Sequence, residues 1–263
     1  MLSSKSKKQD LISKVPEITL LFWIIKIFTT GMGEVFADYW NESVNLPLAI
    51  SLSILGLFGS LALQFSVRKY IPSVYWLVVV MVSIFGTTAA DVVSFLLGHS
   101  PLISTIIYLA LLFTVLAFWY VKEKTLSIHS IYTRRREMFY WLTVLSTFAL
   151  GTAAGDMFAG TLHLGFFTSG ILFTVLLVIP MLCSQFMNIN KIFAFWFSYI
   201  MTRPVGASFA DWMASHRGGL GFDKGLVSLT LAILIIVLVG YVSFTHKGKS
   251  RNTAVLSSEI SAP

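Results

Sequence analysis

The sequence predicts an all-α membrane protein, with eight transmembrane helices arranged as four parallel tandem two-helix repeats. Three observations carry that prediction. The 263 residues are 56% hydrophobic and only 12% charged, whereas a soluble domain averages about 25% charged. The apolar residues are gathered into eight runs. Four of those runs carry the same three residues at the same spacing.

A soluble chain of this length has no core large enough for so much apolar surface, but a bilayer accepts it. The runs fall near 18–38, 44–66, 73–97, 101–121, 138–160, 164–187, 191–214 and 225–245. Each approaches the roughly 20 residues that cross about 30 Å of hydrocarbon. None alternates as barrel strands do, and lipid-facing backbone must satisfy its own hydrogen bonds, so the runs are expected to be helices. The first run begins like a signal peptide, yet it is too long, contains Lys26 and Glu34, and matches three later runs.

Orientation follows from the basic residues. Fifteen Lys and Arg fall in the N-terminal segment, the even-numbered connections and the C-terminal segment, against Arg217 and Lys224 in the odd ones. The positive-inside rule then places both termini in the cytoplasm of a bacterial cell, with the chain in the inner membrane. The net charge of +7 is distributed as membrane anchors, including Arg134, Arg135 and Arg136, and gives no reason to expect nucleic acid. Cys183, the single cysteine, excludes an internal disulfide and a Cys-based zinc site, and reads as a buried thiol. Residues 1–14 and 246–263 are polar and are expected to be flexible tails around one transmembrane domain, 15–245.

Within that domain the repeats run approximately 15–67, 68–121, 133–187 and 188–245. Each opens with a Trp, followed by Gly ten residues on and Asp fifteen on: Trp23, Gly33, Asp38; Trp76, Gly86, Asp91; Trp141, Gly151, Asp156; Trp196, Gly206, Asp211. The stretches GEVFAD, GTTAAD, GTAAGD and GASFAD share a small residue before the acid. Two helices per unit keep all four units pointing the same way, so they are expected to be related about axes along the membrane normal. The Trp is expected at headgroup level, with the Asp about 22 Å further along.

The segments KVPEITLLFWIIKIFTTGMGEVFADYW, VYWLVVVMVSIFGTTAAD, TRRREMFYWLTVLSTFALGTAAGD and KIFAFWFSYIMTRPVGASFADW carry a resemblance. The chain is similar to the bacterial membrane-anchored proteins of four tandem repeats, each with two transmembrane segments and a characteristic tryptophan. That resemblance covers about 14–245 and implies the eight-helix fold. The family's function is unknown, so no chemistry comes with it.

The chemistry must be read from the residues. An intramembrane charge costs about 2.5–3.5 kcal/mol on insertion scales, so Asp38, Asp91, Asp156, Asp211 and Glu34 are expected to face the protein interior or a wet cavity. Four carboxylates gathered around one axis take up protons, a cation, or the internal bases Lys26 and Arg203. Those two bases are expected either to neutralise Glu34 and an aspartate or to act in anion binding or gating. Pro204 is expected to kink the seventh span.

Thr29, Thr30, Ser83, Thr87, Thr88, Thr147, Thr152, Thr202 and Ser208 lie between the Trp and Asp levels. Singly, each reads as bonded back to its own helix. With the acids, and Thr87 and Thr152 in particular, they offer oxygens to Na⁺, Mg²⁺, Ca²⁺ or Mn²⁺. His99, His163 and His216 follow an Asp by five to eight residues and either extend that site or are solvated. The GxxxG of Gly151 and Gly155 reads as close helix packing. No P-loop, dinucleotide fingerprint, metalloprotease or nucleophile-elbow motif is present. No cofactor is indicated beyond a bound cation. The partners expected are the bilayer and a small ion or solute. The function expected first is a transporter or channel for a cation, whether proton, alkali or divalent metal. The alternative is a scaffold whose aspartates only hydrogen-bond between helices, with a membrane-embedded enzyme third.

Overall fold

The structure, a computed structural model, describes residues 13–98, 100–187 and 189–260, with side chains up to 246. Eight long helices account for it: α1 Leu20–Ser43, α2 Leu46–Ser66, α3 Pro72–Leu96, α4 Pro101–Glu123, α5 Arg134–Asp156, α6 Phe166–Phe186, α7 Lys191–Ala214 and α8 Lys224–Ile260. Their starts are written locally. The side chains of Thr19, Asn45, Ser100, Thr133, Asn190 and Asp223 each accept a backbone N–H of the turn they open, and Pro72 and Pro101 stand where a helix N–H has no partner to lose.

Seven of the helices are long and apolar enough to cross a membrane. The exception is α7, which is 24 residues long but carries Lys191, Arg203 and Asp211. It is shielded rather than apolar. It packs against α6, α1 and α5. It also continues as helix through Pro204, where the sequence suggests a kink. Beyond 245, where a flexible tail is expected, the backbone stays helical to Ile260, with no proline to interrupt it. Lys14 is likewise no part of a loose tail: it is buried and bonded to Glu137 at 2.6 Å, while its N–H donates to the Ile131 carbonyl.

The odd-numbered helices form an inner ring. Contacts run α1 to α3, α3 to α5, α5 to α7, and α7 back to α1. The even-numbered helices lie outside, with 17–22% of their apolar stretch buried against 50–67% for α1, α3 and α5. Each outer helix packs chiefly on the inner helix of the following repeat: α2 on α3, α4 on α5, α6 on α7, and α8 on α1. The packed pair is therefore out of step with the sequence repeat, and α8 closes the circle.

Two layers of equivalent contacts show how the repeat encodes this ring. At the level of the tryptophans, the aromatic residue before each Trp packs on the Trp of the next repeat: Phe22 on Trp76, Tyr75 on Trp141, Tyr140 on Trp196 and Phe195 on Trp23, with centroids 5.5–6.2 Å apart. The four tryptophans are only 2–6% exposed, so at their level they fill the protein core instead of facing outward. They do so because their face of the helix is turned toward the ring axis. Val15, Ile128 and Ile131 add to this plug, and the Trp196 indole donates to the Leu126 carbonyl at 2.9 Å.

One layer further along, each repeat glycine receives the next repeat's residue seven after its Trp: Gly33 meets Ser83, Gly86 meets Phe148, Gly151 meets Arg203, and Gly206 meets Thr30. Any Cβ there overlaps its neighbour. Gly155, in contrast, has open space beside it, so only the first glycine of the GxxxG is a packing residue.

Gly206→Ala is expected to lower stability by about 1–3 kcal/mol, because the new methyl meets the Ile27 carbonyl oxygen at 2.7 Å as well as Thr30. Gly59→Ala, with nothing within 4 Å, is expected to leave stability unchanged or slightly raised. Thermal unfolding of both variants in detergent checks the contrast.

Candidate functional site

The end of the ring opposite the tryptophans is hollow. A cavity of about 730 Å³ is lined there by Asp38, Asp91, Asp156 and Asp211, one from each inner helix. The equal spacing along parallel helices brings the four acids to one level, as the repeat implies. Glu34, Glu42 and Asp223 also line the cavity, with Lys224 and His216 as the basic groups and Tyr39, Phe166 and Phe222 as the aromatic ones. It is therefore a strongly acidic vestibule.

The four aspartates are all half-buried but differ in their partners. Asp38 accepts from Lys224 at 3.1 Å, and Lys224 also reaches Glu42 at 2.7 Å. Asp91 accepts from the Asn41 side chain at 3.3 Å. The carboxylates of Asp156 and Asp211 accept no hydrogen bond among the described residues, and Asp156 sits where α5 passes into a π turn, Met157–Thr161. Among the described residues no three of the His, Cys, Asp and Glu side chains are close enough to hold a metal ion. The vestibule thus offers dispersed negative charge, not a ready-made chelate.

About one helical turn deeper lies the floor. Arg203 is fully buried, and its guanidinium pairs with the 4%-exposed Glu34. It donates as well to the Thr30 carbonyl at 2.7 Å, to the Thr152 hydroxyl at 2.7 Å and to the Thr87 hydroxyl. Thr87 in turn donates to Glu34 at 2.8 Å. Glu34, Thr87 and Thr152 occupy the same place in their repeats, directly after the repeat glycine, and the fourth such residue is Ala207. The fourth repeat places a methyl at that position and supplies the Arg one turn earlier, so one cation meets three equivalent polar groups. Thr87 and Thr152 consequently serve the ion pair and do not line the vestibule, where the sequence reading assigns them to a cation.

The other internal base behaves differently. Lys26 is fully buried, and its ammonium lies over the rings of Phe148 and Tyr199, 3.9 and 4.4 Å from their centroids, with no hydrogen-bond acceptor among the described residues. Among the described residues it neutralises no aspartate, so of the two alternatives expected for the bases, pairing with acids holds for Arg203 and not for Lys26. Phe148 stands, in the third repeat, at the position of Arg203 in the fourth.

Thr29, Thr30, Thr88, Thr147 and Thr202 donate to carbonyls of their own helices, the role read for each singly. His216 lines the vestibule while His163 does not, and His99 lies outside the described residues. Sequence reading missed Lys224 and Asn41 as partners of the aspartates. It also missed Glu137, which accepts from Lys14 and, at 2.9 Å, from Gln64. Glu137 had a visible signal: it is an acid inside the first turn of a span, with no counterpart in the other repeats.

Arg203→Leu is expected to destabilise the protein by about 3–5 kcal/mol, since it leaves Glu34 buried without a counter-charge. Arg203→Leu combined with Glu34→Leu is expected to recover much of that loss, and Arg203→Lys little, because one ammonium cannot span acceptors on three helices. Unfolding midpoints of the three variants check this double-mutant cycle.

Comparison with curated proteins and with solved structures gives no match. A family described as Repeat of Unknown Function (DUF347) matches four times, at residues 21–70, 74–125, 139–188 and 194–247. Each match begins one to five residues inside an inner helix and takes in the outer helix that follows, close to the repeats read from the Trp–Gly–Asp spacing. With four matches over most of its length, the chain belongs to the DUF347 repeat family.

Proposed function

We propose that this membrane protein is a transporter for a cation, which it takes up from the acidic vestibule. The observation that carries the reading is the convergence of four equivalent aspartates on one cavity, two of them without a hydrogen-bond partner among the described residues. Intramembrane acids that are not neutralised internally are characteristic of ion pathways and proton relays. Dispersed carboxylates suit a cation that keeps part of its water, or a proton, better than a naked metal ion.

Alternating access fits better than an open pore. The Trp half of the ring is filled by stacked aromatic side chains, so a solute in the vestibule meets a closed end. In this reading the chain lies in the bacterial inner membrane with both termini cytoplasmic, and the vestibule faces outward. Lys224 acts as a resident counter-ion that a substrate cation displaces from Asp38 and Glu42.

The Asp91–Asn41 and Asp38–Lys224 contacts favour a second reading, in which the aspartates only tie helices together. The two separate on Asp156 and Asp211. Asp156→Asn and Asp211→Asn are expected to keep the wild-type unfolding midpoint but to lower cation flux into proteoliposomes about tenfold or more. Screening H⁺, Na⁺, K⁺, Mg²⁺, Ca²⁺ and Mn²⁺ identifies the ion, since the one bound should also raise the midpoint of the wild-type protein. Lower stability in the Asn variants, with no flux of any of these ions through wild type, would establish the scaffold instead. Lys224→Gln is expected to strengthen apparent cation affinity several-fold at low salt, an effect that added salt erases.

A further inference from the structure

Lys26 is the polar group the vestibule does not account for. Its Nζ is fully buried and, among the described residues, without an acceptor. It leans on the same Phe148 ring that Arg203 approaches at 5.4 Å, so two basic groups lie in succession along the ring beneath the vestibule. Only one carboxylate, Glu34, is engaged there, and Arg203 holds it. A guanidinium is a permanent charge, whereas a lysine amine in a poorly solvated site can give its proton up. A substrate cation that leaves the aspartates for the Trp end must pass both groups, and like charges at such separations repel strongly where water is scarce.

We propose that Lys26 is the coupling residue of cation–proton exchange: a proton on its Nζ and a cation at the vestibule floor exclude one another. The proposal rests on the transport reading above. The step is a proton association, in which the amine lone pair takes one H⁺ from water on the Trp side as the cation departs. The amine returns that proton to the vestibule when the next cation arrives, so the cation and the proton move in opposite directions. The titratable and charged groups beside Lys26 are Tyr199 of α7, whose ring it overlies, Arg203 of α7, which shares the Phe148 ring with it, and, further along its own helix, Glu34. The tyrosine hydroxyls of α3 and α5 bond to each other at 2.5 Å. The Phe148 and Tyr199 rings offer Lys26 neutral faces and no compensating charge.

The test uses the full chain in proteoliposomes, with a pH dye inside and the cation found to move in the screen outside. Wild type is expected to show proton counterflow with cation entry. Lys26→Met, close in shape and without charge, is expected to pass the cation with the proton counterflow lost. Lys26→Arg, with a permanent charge, is expected to lower cation flux about tenfold or more. In detergent, cation-induced stabilisation should grow as pH rises. Part of that dependence belongs to the four aspartates and survives in Lys26→Met; the rest disappears. Proton counterflow that persists in Lys26→Met, or wild-type flux in Lys26→Arg, overturns the coupling role while leaving cation transport standing. Absence of both flux and stabilisation for every ion overturns transport and coupling together. Lys26→Leu, read by size exclusion and unfolding, separates a failure to fold from a failure to couple.

Discussion

A guanidinium sealed from water needs acceptors inside the protein, and Arg203 finds them for its two terminal nitrogens on the three other inner helices. Its position therefore specifies theirs. Glu34 supplies the charge, Thr87 and Thr152 the hydroxyls, and the Thr30 carbonyl the remaining acceptor. In a bilayer there is little hydrophobic gain in pressing one apolar helix on another, so packing fit and polar contacts decide which helices associate. Here both act at the same level. The repeat glycines let the inner helices approach, and the guanidinium fixes their rotation.

The molecule is symmetric where it packs and asymmetric where it is charged. The aromatic plug and the glycine contacts pass from repeat to repeat and close on the first, as four copies of one unit require. The charged groups break that pattern: one Arg, one Lys and one Glu between the Trp and Asp levels, a buried Lys14–Glu137 pair with no equivalent in the other repeats, and one lysine at the vestibule wall. An ion held between four identical acids would have no preferred direction around the axis. The inequivalent partners of Asp38, Asp91, Asp156 and Asp211 supply one, with the side of Asp156 and Asp211 left open.

The helices, the repeat and the meeting of the four aspartates were legible because each depends on spacing along a single helix. Trp, Gly and Asp at fixed offsets lie at fixed heights on parallel helices, whatever the ring's diameter. What the sequence withheld depends on rotation about each helix axis. Thr87 and Thr152 face the Arg203 guanidinium and not the solvent, Lys26 faces rings rather than an acid, and the tryptophans turn inward although amphipathic rings also suit the headgroup region. The pairing of α2 with α3 rather than α1 was equally hidden, since a short connection says only that two helices are antiparallel. The Arg203 site, by contrast, left a trace in the residue after each glycine, whose run of Glu, Thr, Thr and Ala becomes intelligible once a single Arg is known to stand among them.

The outward shift of each second helix onto the next repeat has a consequence for synthesis. The first helix carries Lys26 and Glu34, yet the residues that shelter them arrive on α7, and the helix that covers its outer side is α8. Glu34 and Arg203 are 169 residues apart. At ordinary translation rates that distance is roughly ten to thirty seconds. For that interval α1 is a charged span with an unmet partner. Biogenesis of the protein is thus a problem of waiting: the earliest helix to emerge is the last to be enclosed, and a ribosome that stops before α7 leaves an exposed acid and base that mark the fragment as unfinished.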